Sequence, residues 1–158
     1  MLHSFSLGSP QAALVEDSAG NLYGTAFDGG STLCVYGNPG CGIVFTVSSA
    51  TGKGRGLYSF LGPPDRANPT SNLVRDAAGN VYGTTFLGGA YGAGSVFKLN
   101  KTGGETVVYS FTGGTDGGTP EAGQIIDAAG DLYGTTYLGG DLSCFPPYGC
   151  GTVFKLTP

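Results

Sequence analysis

The sequence holds no tryptophan, one methionine, one histidine and four cysteines in 158 residues, and charged side chains make up only 11% of it. Disordered chains combine high charge with few aromatics, whereas here aromatics reach 11%, so disorder is excluded. Lysine and arginine never cluster along the sequence, the net charge is −4 and the pI is near 4.6, so nucleic acid is not an expected partner. No apolar run approaches the roughly 20 residues that span a bilayer, which argues against membrane insertion of this segment. A sustained helical period is missing as well, and almost no helix is expected. Residues Met1-Leu2-His3-Ser4-Phe5 lack the basic-then-apolar pattern of an export signal. Such a start fits removal of the signal or a beginning inside a longer precursor.

Glycine is what the chain has in quantity, 31 residues, with 9 prolines. The glycines lack the every-third spacing of collagen and fall at recurring places between short apolar runs, where they punctuate turns. Asp17-Ser18-Ala19-Gly20-Asn21-Leu22-Tyr23-Gly24-Thr25 returns as Asp76-Ala77-Ala78-Gly79-Asn80-Val81-Tyr82-Gly83-Thr84 and as Asp127-Ala128-Ala129-Gly130-Asp131-Leu132-Tyr133-Gly134-Thr135. Gly42-Ile43-Val44-Phe45, Gly94-Ser95-Val96-Phe97 and Gly151-Thr152-Val153-Phe154 form a second series. Leu2-His3-Ser4-Phe5, Leu57-Tyr58-Ser59-Phe60 and Val108-Tyr109-Ser110-Phe111 form a third.

The repeat divides one domain, 1–158, into units 2–56, 57–107 and 108–158, each about fifty residues long with strand order D-A-B-C. In unit two, strand A falls near 73–76, B over 80–86, C over 95–99 and D over 106–111. Val107, Tyr109 and Phe111 are expected to share one face of strand D. Four antiparallel strands repeating at this period predict an all-β protein, a β-propeller with three four-stranded blades per chain. Blades are covered on both faces by their neighbours, which explains the low charge. Gly24, Gly83 and Gly134, inside strand B, are expected where a sheet comes close to the next blade.

At these residues the chain resembles the Gloeo-Verruco (GloVer) tandem repeat of secreted bacterial proteins with surface-anchoring tails. The resemblance rests on the runs from Asp76 to Thr85, Gly94 to Leu99 and Val108 to Gly114, and it covers essentially the whole chain. It implies an extracellular or cell-surface repeat protein and brings no catalytic residues or cofactor. Asp131 departs from the pattern, since the other units carry Asn21 and Asn80 there.

Cys34 and Cys41 in unit one match Cys144 and Cys150 in unit three, flanking a loop that is longer than its counterpart in unit two. Local disulfides Cys34–Cys41 and Cys144–Cys150 are expected, placing the protein in an oxidising compartment. Metal binding by the same cysteines is the alternative, disfavoured by the lack of a neighbouring histidine and by the wide spacing. The Asp-x-x-Gly-Asn turns lack the dense alternating carboxylates of a calcium loop. His3 occupies a position held elsewhere by Tyr58 and Tyr109 and reads as a packing residue, with no catalytic set around it.

The elaborated loops all emerge on one end of the blades and carry Tyr36, Tyr91, Phe145 and Tyr148 with Asp28, Asp65, Asp116 and Asp141. Such a surface suits a glycan or a protein ligand, but ordinary stapled loops carry the same residues, and that plainer reading is preferred. Three functions therefore compete, in this order: a non-enzymatic structural or adhesive module, a glycan- or protein-binding propeller, and a carbohydrate-active hydrolase or lyase. The chain opens on the D-type run Leu2, His3, Ser4 and Phe5 and stops on the C-type run Thr152, Val153, Phe154, Lys155 and Leu156. Pairing of these two runs between copies is expected to complete the ring as a homodimer of six blades, or to propagate a head-to-tail filament.

Overall fold

The computed structural model describes residues 1–5, 8–30, 34, 40–62 and 66–158. Twelve strands and no helix occur among them. The first sheet holds β1 (Val15–Glu16), β2 (Asn21–Ala26), β3 (Ile43–Ser48) and β4 (Gly54–Ser59), in that order. The second holds β5 (Arg66–Pro69), β6 (Val74–Arg75), β7 (Val81–Gly88), β8 (Ser95–Leu99) and β9 (Glu105–Ser110), with β5 and β6 both pairing with β7. The third holds β10 (Ile125–Ile126), β11 (Leu132–Thr136) and β12 (Thr152–Leu156). All strand pairs are antiparallel.

The Asp-x-x-Gly turn that opens each repeat folds for a local reason. Asp17 Oδ1 accepts from the amides of Ala19 and Asn21, both at 2.9 Å; Asp127 accepts likewise from the amides of Ala129 and Asp131, and Asp76 from the amide of Asn80. Gly20, Gly79 and Gly130 take φ of +79°, +84° and +91°, the left-handed conformation that closes the turn. A tyrosine hydroxyl from the following strand (Tyr23, Tyr82 or Tyr133) then donates to the second carboxylate oxygen at 3.0 Å. Strand, turn and strand are thereby locked by one aspartate.

A β-bulge interrupts the pairing of β8 with β9, where Val96 faces Tyr109 and Phe97 faces Val107. Adjacent residues of β8 point to opposite faces, so Val107 and Tyr109 do too, which corrects the expectation that they share a face. Sheet one carries the matching bulge, with Val44 facing Tyr58 and Phe45 facing Gly56.

Neighbouring sheets are joined by an apolar core and by a hook. One core cluster unites Val44 of the first sheet and Phe60, which follows β4, with Leu73 and Phe97 of the second unit, and another unites Val96 and Phe111 with Leu132. Edge-on and tilted phenylalanine pairs run through both, with Phe60 on Phe97 at 5.2 Å and Phe111 on Phe154 at 5.3 Å. The hook is an X-Pro corner. Asn68 and Thr119, at φ of +59° and +47°, donate their amides to the carbonyls of Cys41 and Ala93 at 2.7 Å. Their prolines, Pro69 and Pro120, press against Gly42 and Gly94 of the preceding unit, where a Cβ would collide with the ring.

This places the close approach between sheets at Gly42 and Gly94 instead of Gly24 and Gly83. A Cβ on Gly24, Gly83 or Gly134 would instead strike the ring of Phe45, Phe97 or Phe154, its own cross-strand partner, and at Gly24 and Gly83 also the side chain of Leu14 or Leu73 from the same unit. Residues 2–5 form no strand in the single chain, and the count of twelve is completed instead by β5, which the repeat pattern did not signal.

Candidate functional site

The third sheet presents an uncovered face. Val153 is 82% exposed, although its counterparts Val44 and Val96 are fully buried by the next unit. Thr135 is likewise open where Thr25 and Thr84 are buried, and Ile125 and Tyr137 stand exposed beside it. The opposite end of the molecule is incomplete in the complementary sense. Leu14 is 52% exposed, against 4% for its counterpart Leu73, and it borders an apolar hollow of about 280 Å³ lined with Phe5, Pro10 and Phe45 among others.

Residues 2–5 lie across that first sheet in the way a preceding unit's last strand would. Phe5 meets Phe45 at 4.6 Å, the same contact that Phe60 makes with Phe97 and Phe111 with Phe154. The Leu2 carbonyl sits against Gly52 as the Leu57 carbonyl sits against Gly103. His3 packs edge-on against Phe5 at 4.9 Å, and its Nδ1 lies 3.1 Å from the Gly52 carbonyl oxygen. At the far end, β12 pairs with β11 on one side only, so its other edge is free of any strand among the described residues.

Both disulfides are present, Cys34–Cys41 with Cα atoms 4.9 Å apart and Cys144–Cys150 with 5.9 Å. The first pair is buried in the core cluster, whereas the second is exposed. Around the second, Tyr137, Phe145 and Tyr148 line an open apolar hollow of about 470 Å³, the last two with ring centroids 6.0 Å apart. Tyr91 is exposed but does not line it. Tyr36 and Asp65 lie outside the described residues.

The loop carboxylates turn inward to local donors. Asp116 accepts from the Tyr109 hydroxyl at 3.0 Å, the Thr112 amide at 2.9 Å and the Thr112 hydroxyl. Asp141 accepts from the amide and hydroxyl of Ser143, and Asp28 from the Ser9 hydroxyl. Asp131 cannot donate to Asp127 as Asn21 and Asn80 donate to Asp17 and Asp76. It pairs instead with Lys155 at 2.6 Å and accepts from the Thr157 hydroxyl, and these contacts lower its pKa.

The sequence reading missed Leu14, Pro10, Ile125 and Tyr137 as residues of the open faces. Aligning the units shows Leu14 and Pro10 as the counterparts of the buried Leu73 and Pro69, Ile125 as that of Val74, which packs against a core cluster, and Tyr137 as that of the half-buried Phe27 and Phe86, but which unit lacks a neighbour is a property of the assembled sheets.

The sheets pack face to face without closing on themselves, the arrangement of a propeller-like repeat protein. The chain belongs to the Gloeobacter/Verrucomicrobia repeat family, whose model matches residues 9–158. Among solved structures it is similar to a streptogramin B lyase, at 16% identity and a TM-score of 0.52, over 96% of this chain and 41% of that one. A putative gluconolactonase is similar at 22% identity and a TM-score of 0.50, over 99% of this chain and 51% of that one. Both are β-propeller-like. This chain thus spans about half the length of these structures, or less. No curated protein matches the chain.

Proposed function

We propose that this chain is a non-enzymatic extracellular module that builds a β-propeller-like surface by docking the open face of its third sheet onto the first sheet of another copy. The observation that carries the reading is Val153, 82% exposed in a position that is fully buried in both other sheets. What covers the equivalent faces within the chain is a repeat of the same kind, so a repeat of the same kind is the occupant whose shape fits here. Pro10 of a second copy would meet Gly151 as Pro69 meets Gly42 and Pro120 meets Gly94. Residues 2–5 would then lie along the free edge of β12, completing a fourth strand. The two disulfides fit an oxidising, extracellular setting.

Two copies would give six blades in a ring, and a rotation that does not close would give a filament. Light scattering across micromolar concentrations tests the reading: a mass of two chains or more supports it, and a strict monomer overturns it.

The hollow beneath Tyr137, Phe145 and Tyr148 supports a second reading, a glycan- or protein-binding surface, because exposed aromatic faces stack on sugar rings and apolar side chains. Glycan-array binding that disappears in Phe145→Ala and Tyr148→Ala would favour it.

A further inference from the structure

Opposite the stapled loops, at the end where the A–B and C–D turns emerge, a cleft of about 300 Å³ separates the first two sheets. Arg55 of β4, Arg75 of β6 and Lys101 of the turn after β8 line it. These are three of the seven cationic side chains in a protein of net charge −4. Along the sequence they are scattered, and only the packing of the two sheets gathers them. None of the three forms an ion pair with a described residue.

The cations are held close together. A Cβ built on Gly79 would lie 3.2 Å from an Arg75 guanidinium nitrogen and 3.4 Å from Lys101 Nζ, so the two like charges converge on one glycine. Arg75 rests over the Tyr23 ring at 5.0 Å, which fixes its plane, yet its Nε is buried without an acceptor. Asp17 also borders the cleft, but its oxygens are engaged by Ala19, Asn21 and Tyr23. With three cations and one carboxylate, the cleft carries a surplus of positive charge.

The repeat framework does not require that surplus. Arg75 stands where the other units have Glu16 and Ile126, Lys101 where unit one has Ser49, and Arg55 where unit two has Thr106. The stack on Tyr23 has a framework counterpart, because Lys98 and Lys155 lie over Tyr82 and Tyr133 from their own sheets. That role accounts for Arg75 over the ring and leaves its buried donor, Arg55 and Lys101 unexplained. Convergent, unpaired cations around a buried unpartnered donor are the arrangement that binds an oxyanion, and a guanidinium offers it paired donors.

The geometry points to a binding site for an oxyanion-bearing sugar, a uronic acid or a sulfated monosaccharide, whose carboxylate or sulfate is held between Arg75 and Lys101 with Arg55 closing the cleft. The volume is at the lower end of small-ligand pockets and suits a single sugar ring. Because the cleft is formed within one chain, the site operates whether or not copies assemble.

Calorimetric titration of the full chain with D-glucuronate, D-glucose 6-sulfate and D-glucose tests this. Saturable binding of either anion, at least roughly tenfold tighter than glucose, is expected. Glucuronate alone binding identifies a carboxylate site, and the sulfate alone a sulfated-sugar site. Affinity should weaken further by about tenfold in Lys101→Gln and in Arg55→Gln, and fall as salt rises from about 0.02 to 0.2 M. Both are exposed surface positions, so the thermal midpoint should stay unchanged. Failure of both anions to bind, binding of glucose equally well, or unchanged affinity in both variants would overturn the site.

Discussion

A single carboxylate per turn carries much of the local order. Hydrogen bonds from the Asn21 side chain and amide hold Asp17 down to about 2. Asp76 and Asp127 are also lowered: at Asp76 burial opposes the shift, and donation by Asn80 and Tyr82 outweighs it, whereas at Asp127 the Asp131 amide is the main cause. In the unfolded chain an aspartate titrates near ~3.9. The unfolded state therefore takes up protons first as the pH falls, and the stability these groups provide above that value is lost between about 4 and about 2. Thermal melts should show a flat midpoint from neutral pH to about 5 and a steep decline below about 4. Asp17→Asn should flatten that decline, and an unaltered profile would remove Asp17 from this role.

Another consequence at the same scale concerns Gly83, whose missing side chain accommodates the Phe97 ring at a distance where a Cβ would lie 2.5 Å away. Gly83→Val should lower stability by ~1–3 kcal/mol through overpacking, visible as a lower melting temperature, and Gly83→Ala by less. An unchanged midpoint in Gly83→Val would show that the ring yields freely.

Among the elements, the two loops closed by disulfides differ in their surroundings. Cys34 and Cys41 belong to the core between the first two sheets, while Cys144 and Cys150 sit in an exposed loop. Access controls thiol–disulfide exchange, so mild reductant should open Cys144–Cys150 first, as mass spectrometry after alkylation would reveal. Replacing both Cys144 and Cys150 with serine should cost roughly 2.5 kcal/mol through loop entropy. A simultaneous opening of both bridges would mean that the whole fold opens before either is reached. The X-Pro corners matter at this scale too, because each ties the entry of one unit to the carbonyl that ends the preceding loop.

For the whole molecule, the decisive asymmetry is that two inter-sheet faces are satisfied within the chain and two half-faces are left open. Val153→Asp introduces a charge where the single chain has only solvent, so the fold should survive with its melting temperature little altered. Desolvating that charge against Phe45 and Leu14 of a second copy would be costly. The variant is therefore expected to sediment as one chain at concentrations where the parent associates. Association unaffected by Val153→Asp would move the contact to another surface.

The repeat period, strand succession, aspartate turns and cysteine pairing could be read directly from the sequence, because each depends on residues close along the chain. Asp17 needs only Gly20, Asn21 and Tyr23, and Cys144 needs only Cys150 six positions on. Three features emerged only in three dimensions. The bulges turned Val107 and Tyr109 to opposite faces, since one extra residue inverts the alternation that a pattern assumes. Gly42 and Gly94 proved to be the points of closest approach because Pro69 and Pro120 arrive from units about fifty residues apart in phase. Arg55, Arg75 and Lys101 became one cleft because packing two sheets brings together turns that the sequence keeps 20 or more positions apart. Local hydrogen-bond chemistry is written along the chain, whereas the meeting of faces depends on how whole sheets stack.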